Sequence, residues 1–103
     1  MSAAKTKAQS LIDSNSVVVF SKSYCPYCKS TKDLLNSLDA QFAVLELDKL
    51  DDGTDIQKAL EEISGQRTVP NVFIDKKHIG GNSDLQAIKN DLPALLKSVG
   101  ATA

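Results

Sequence analysis

Val17-Val18-Val19-Phe20 restricts the fold of this chain more than any other stretch. Four consecutive β-branched and aromatic residues mark a strand buried on both faces, and such a strand needs helices covering its sheet. The flanking patterns supply them. Ala4, Ala8, Leu11 and Ile12 recur at helical spacing and predict a first helix ending near Ser14-Asn15. Thr31, Leu34, Leu35 and Leu38 predict a second, from Pro26 to Leu38, and Phe42 to Leu47 reads as a second strand. Asp52-Gly53-Thr54-Asp55 offers capping residues for a third helix through Ile56, Ala59, Leu60 and Ile63, with Gly65 as its stop. Val72-Phe73-Ile74 and His78-Ile79 are short strands joined by a tight turn at Asp75-Lys76-Lys77. Gly80-Gly81-Asn82-Ser83 forms a turn and cap before a helix through Leu85 and Ile88, and a last short helix carries Pro93 in its first turn.

A right-handed crossover makes the first two strands parallel, while the hairpin is antiparallel. The expectation is an α/β chain with a small mixed sheet covered by helices. At 103 residues, with no internal repeat, low-complexity tract or linker, it reads as one domain over 1–103.

Composition removes several functions. Twelve Lys and Arg against thirteen Asp and Glu leave a formal charge of −1, which argues against nucleic acid as a partner. The start is polar, without the apolar segment of a secretory signal, and no apolar run approaches the length of a membrane span. The chain therefore reads as soluble and cytoplasmic, where thiols stay mostly reduced. Its two cysteines are too few for the multi-bridge framework of a small secreted domain. They cannot complete a structural zinc site either, with His78 the only other ligand of that type, so no metal is expected.

The two thiols stand as Cys25-Pro26-Tyr27-Cys28, just after the first strand and at the start of the second helix. Three influences there favour the thiolate of Cys25. The free N–H groups and positive dipole end of the helix face the sulfur. Lys22 and Lys29 lie three and four residues away, and the second thiol of a Cys-X-X-Cys pair can donate to the first. Cys28, one turn further in, is expected to be more buried and suited to a resolving role. Pro26 at the first helical position lacks an N–H that would be unpaired there anyway. Out of this context the same spacing also fits half of an intermolecular metal site, or two buried structural cysteines.

Two further segments carry chemistry. In Thr68-Val69-Pro70 the proline pushes Val69 toward an extended backbone; a cis bond would present its N–H and C=O to an extended peptide, and a plain strand-initiating proline is the alternative. In Gly80-Gly81-Asn82-Ser83-Asp84 the glycines permit close backbone approach, the helix start behind them suits a carboxylate, and Asp84 can pair with a neighbouring amine. A plain helix cap is the simpler alternative. The three segments lie in positive stretches: residues 1–32 carry a net +4, residues 33–62 a net −7 and residues 63–103 a net +2. The neutral total conceals positive potential near the thiols, which suits an anionic thiol substrate.

With those residues in view, the sequence closely resembles the dithiol glutaredoxins, especially the fungal type. The resemblance rests on three collinear stretches: Ser21 to Lys29, Gly65 to Ile74, and His78 to Leu85. It implies a thioredoxin-like fold with a four-stranded mixed sheet, a cis bond before Pro70, and glutathione as the anionic thiol. It further implies that Cys25 is the nucleophile and Cys28 the resolving thiol. Lys22, Tyr27, Gln57 and Arg67 would line the glutathione groove, Val69 would pair with the cysteinyl backbone beside Pro70, and Ser83 with Asp84 would hold the γ-glutamyl end. Pro26, Thr68, Gly80 and Gly81 would shape the site. The implied partners are glutathione, as cosubstrate rather than bound cofactor, and glutathionylated or disulfide-bonded proteins acted on by a monomer.

Two other functions fit the thiol motif. An iron–sulfur carrier bridging two chains would use Cys25 and two glutathiones, but its specialists resemble Cys-Gly-Phe-Ser, and Pro26 and Cys28 both weigh against it. A thioredoxin reduced by a flavoenzyme would resemble Trp-Cys-Gly-Pro-Cys, whereas this chain has no Trp and has Tyr24 before Cys25.

Overall fold

The computed structural model describes residues 2–103. The chain runs α1 (Ala3–Ser14), β1 (Val17–Ser21), α2 (Pro26–Ser37), β2 (Ala43–Glu46), a 3₁₀ turn (Leu47–Lys49), α3 (Gly53–Ser64), β3 (Asn71–Ile74), β4 (Lys77–Gly80), α4 (Asn82–Ala87) and α5 (Leu92–Ser98). The four strands form one sheet in the order β2-β1-β3-β4, with β1 and β2 parallel and the pairs β1–β3 and β3–β4 antiparallel. This mixed sheet flanked by helices is the thioredoxin-like arrangement.

The apolar run behaves as its composition dictates, since all five residues of β1 are buried. Successive side chains of a strand point to opposite faces. Val18 and Phe20 therefore join Ala4, Ala8 and Ile12 of α1, Ile56 and Leu60 of α3, and Phe73. Val17 and Val19 join Leu35 of α2, Leu85, Leu92 and Leu96 of α4 and α5, and Val72 and Ile74 of β3. Phe20 and Phe73 meet edge to face, their ring centroids 6.0 Å apart and their planes at 87°. That geometry aligns the positive edge of one ring with the negative face of the other.

Helix α3 stops as predicted, with Gly65 in the left-handed region at φ 78°. Its start differs from expectation. Asp52 occupies the cap position without a side-chain capping bond, and its carboxylate instead accepts a hydrogen bond from Lys7 Nζ at 3.1 Å. An ion pair between α1 and α3 has replaced a local cap. Strand β2 is also shorter than the predicted 42–47, because Leu47 turns into the 3₁₀ segment and buries its side chain in the core.

The β3–β4 turn is a two-residue one. Ile74 pairs with Lys77, and Asp75 and Lys76 both have positive φ, 52° and 66°. This is the geometry that suits a twisted hairpin, and a side chain in it costs about 1 kcal/mol relative to glycine. Lys76→Gly is therefore expected to stabilise the fold by about 0.5–1 kcal/mol, raising Tm by about 2–8 °C for a domain of this size. A melting curve showing no rise, or a fall, would contradict that reading of the turn.

The topology also gathers the predicted site. Cys25 follows the C-terminal end of β1. Because β3 runs antiparallel to β1, with Phe20 opposite Asn71, the Val69-Pro70 segment enters at that same end. Because β4 runs antiparallel to β3, with Gly80 opposite Val72, the Gly80-Gly81 turn leaves there too.

Candidate functional site

Cys25 caps α2, with an extended backbone at φ −84° and ψ 118°, and its sulfur accepts the backbone N–H of Cys28 at 3.3 Å. Pro26 begins the helix, and Cys25 N donates to the Lys22 carbonyl at 3.1 Å, closing the turn before it. The Cys25 side chain is half-buried and Cys28 fully buried. Burial pushes the Cys28 thiol up from its ordinary pKa, and its hydrogen bond with Cys25 pushes in the same direction. Cys28 therefore holds its proton at neutral pH and serves Cys25 as a donor.

The Val69–Pro70 bond is cis. Of the two conformations open from the residues alone, the structure has the one that the resemblance implied. Cys25 Sγ lies 4.0 Å from the Val69 carbonyl oxygen. Beside this contact a cavity of about 450 Å³ is lined by Tyr27, Thr68, Val69, Pro70, Gly81, Asn82 and Ser83. Tyr27 is 68% exposed and Tyr24 72%, so aromatic surface stands open around the thiol. A smaller cavity of about 160 Å³, lined by Thr54, Gln57, Lys58, Glu61 and Arg67, holds two more of the predicted groove residues, with Gln57 Nε2 donating to the Arg67 carbonyl at 2.7 Å, while Lys22 lines neither cavity. A third, of about 330 Å³, lies at the opposite end of β1 between Ser14, Gln41 and Gly100, and neither a thiol nor a charged side chain lines it.

The two glycines differ in purpose. Gly80 has φ 122°, and a Cβ there would collide with the Asp84 carboxylate. Gly81 meets only ordinary contacts, the nearest being the Pro70 carbonyl at 3.7 Å, and it lines the main cavity. Asp84 accepts the Gly81 N–H at 2.9 Å and so organises the first turn of α4, with Ser83 exposed beside it.

Charge around the thiols is less one-sided than the sequence segments suggest. Lys22 has no ion-pair partner among the described residues, whereas Lys29 pairs with Asp33 at 2.7 Å and Arg67 Nε lies 3.7 Å from Glu61. The acidic stretch also reaches the site directly. Asp48 accepts hydrogen bonds from the Ser23 backbone N–H at 2.9 Å and from the Ser23 hydroxyl, two residues before Cys25. Sequence reasoning missed Asp48, and it also missed Asn82 and Gln66. Asn82 lines the main cavity and accepts the Thr31 hydroxyl at 2.9 Å. Gln66 Nε2 donates to the carbonyls of Thr68 and Pro70 at 3.0 and 2.9 Å. Among the described residues no group of three or more His, Cys, Asp or Glu side chains converges as a metal site.

The Ser23 hydroxyl, and after it the Ser23 N–H, holds the Asp48 carboxyl below its ordinary pKa. A carboxylate with a lowered folded-state pKa stabilises the fold above its unfolded value, and that contribution is lost as pH falls through the lowered one. The Tm difference between the protein and its Asp48→Ala variant is thus expected to be greatest at neutral pH and to shrink toward about pH 3. A difference that stays constant across that range would show that the clamp is not ionic.

Comparison with known proteins agrees with this geometry. A family model described as glutaredoxin matches residues 17–79. A glutaredoxin of Ricinus communis is 55% identical over 100 residues, covering 95% of this chain and 98% of its own. One from Vernicia fordii is 68% identical over 78 residues, covering 76% of this chain and 75% of that protein. The crystal structure of a buckwheat glutaredoxin–glutathione complex superposes with a TM-score of 0.92 at 48% identity, covering 97% of this chain and 93% of that one. These relatives are plant proteins, which moves the likeness from the fungal type suggested by the sequence to a plant one.

Proposed function

Since this chain belongs to the glutaredoxin family of glutathione-dependent oxidoreductases, we propose that it reduces protein–glutathione mixed disulfides and protein disulfides through Cys25. The observation that carries this reading is the 4.0 Å contact of Cys25 Sγ with the carbonyl of Val69, which lines a cavity together with the cis Pro70 and Ser83. Its volume of about 450 Å³ is in the range of small-molecule sites. The buckwheat relative was solved with glutathione, and the same ligand suits this cavity. An extended cysteinyl backbone would pair with the Val69 N–H and C=O, strand-fashion. The γ-glutamyl end would reach Ser83 and Asp84, and Lys22, Tyr27, Gln57 and Arg67 would border the remainder.

In the first step the Cys25 thiolate attacks the glutathione sulfur of the mixed disulfide. A Cys25–glutathione disulfide forms, the target's S–S bond breaks, and its thiolate leaves and takes a proton. A second glutathione thiolate then attacks the glutathionyl sulfur on Cys25, releasing glutathione disulfide and restoring the Cys25 thiolate. With a protein disulfide, Cys25 first joins the target. Cys28 then loses its proton and attacks the Cys25 sulfur, the reduced target departs, and two glutathiones reduce the Cys25–Cys28 disulfide. The raised pKa of Cys28 keeps it from intercepting every intermediate, because only the thiolate attacks. We place this chemistry in the cytoplasm, where glutathione keeps thiols reduced.

The test is a coupled assay in which glutathione, its reductase and a nicotinamide donor support turnover of a glutathionylated peptide. Turnover is expected. Silence in this assay, with ready reduction by thioredoxin reductase, would overturn the reading in favour of a thioredoxin.

A further inference from the structure

Gln66 connects the cis-proline segment to β4. An amide nitrogen carries two hydrogens, and Gln66 Nε2 uses both, one on the Thr68 carbonyl at 3.0 Å and one on the Pro70 carbonyl at 2.9 Å. The two acceptors flank Val69 on either side. With its nitrogen so engaged, Gln66 turns its Oε1 toward His78 Nε2, 3.1 Å away, and the imidazole can only donate there. His78 is steadied in turn by the ring of Phe73, with centroids 5.2 Å apart. The amide also underlies the glycine turn, since a Cβ on Gly81 would meet Gln66 Nε2 at 4.0 Å. A short loop with a proline in it has few backbone partners of its own, so these side-chain bonds set how its carbonyls are turned.

We propose that Gln66 is a positioning residue for glutathione capture: by holding the Thr68 and Pro70 carbonyls it sets the direction in which Val69 presents its N–H and C=O, and His78 acts by anchoring Gln66. The inference rests on the glutathione reading above. Glutathione would bind to the backbone of Val69 while the reacting sulfur belongs to Cys25 on another element. Losing Gln66 should therefore weaken capture of the glutathionyl group and leave the nucleophile unchanged.

The experiment compares the protein with Gln66→Ala, Gln66→Glu, His78→Ala and the Gln66→Ala/His78→Ala double variant, using a glutathionylated peptide in the coupled assay. Gln66→Glu keeps the size and the His78 contact but offers no donor to the two carbonyls. Both Gln66 variants are expected to raise KM about five- to thirtyfold, the loss of one or two hydrogen bonds, with kcat and the rate of Cys25 alkylation by iodoacetamide nearly unchanged. His78→Ala should raise KM less and should add nothing in the Gln66→Ala background, because it acts through Gln66. An unchanged KM in both Gln66 variants would overturn the proposal, as would a matching fall in the alkylation rate, or multiplied effects in the double variant. Absence of glutathione-dependent turnover in the unmodified protein would instead sink the functional reading, and the proposal with it.

Discussion

Cys25→Ser is expected to abolish turnover of a glutathione mixed disulfide, and Cys28→Ser to preserve it. The asymmetry follows from the helix start. Cys25 is half-buried at the cap, receives the Cys28 N–H at 3.3 Å and lies 4.0 Å from the Val69 carbonyl. Cys28 is fully buried and keeps its proton. Serine at position 25 keeps the hydrogen-bonding geometry but is a far poorer nucleophile at neutral pH, so kcat/KM should fall by at least about 10³-fold, the scale on which covalent enzymes lose rate without their nucleophile. Serine at position 28 removes only the resolving thiol, and external glutathione replaces it. With a protein disulfide as substrate, the Cys28→Ser variant should instead accumulate the mixed disulfide with its target. The reverse pattern in the coupled assay would mean that the two roles are exchanged.

Phe20→Ala is expected to bring the largest loss of stability. Phe20 has no exposed surface, packs between the sheet and helices α1 and α3, and meets Phe73 edge to face. Alanine would forfeit the buried ring and leave a cavity in a core built on the central pair of strands, at a cost of about 3–5 kcal/mol. A domain of this size has a total stability of about 5–15 kcal/mol, so the variant would sit near the edge of folding. The effect should reach the chemistry as well, because Phe20 pairs with Asn71, one residue after the cis proline. Urea unfolding measures this directly. A loss below about 1 kcal/mol would contradict the packing, since deletions of that size are felt wherever a core is dense.

The elements set by local pattern were legible in the sequence. Val17 to Phe20 announced a doubly buried strand, the Cys-Pro-Tyr-Cys spacing announced a thiol at a helix start, and Gly65 announced a left-handed stop. In each case a few neighbouring residues contain the whole physical reason. What escaped was polar and long-range. Asp52 looks like a helix cap on its own, and only the arrival of Lys7, 45 residues earlier, turns its carboxylate outward. Asp48 belongs to an acidic stretch that reads as surface, yet the parallel pairing of β1 and β2 carries it to Ser23, 25 residues away. Gln66 lay within a stretch that carried the family resemblance, but hydrophobic periodicity is silent about where an amide points. The conformation at Val69–Pro70 was open from the residues alone and followed only from the resemblance. Local steric and apolar rules therefore placed Cys25, while the groups that hold its surroundings became visible only once the strands were paired.

The central claim is that the fold makes Cys25 reactive toward glutathione disulfides. The most direct measurement is intact mass over time for the Cys28→Ser variant mixed with glutathione disulfide, folded and in urea. With one cysteine left, each adduct reports on Cys25 alone. The account predicts a single glutathionyl adduct that forms much faster on the folded protein than on the unfolded chain. Equal rates in the two states, or no adduct on the folded protein, would contradict it.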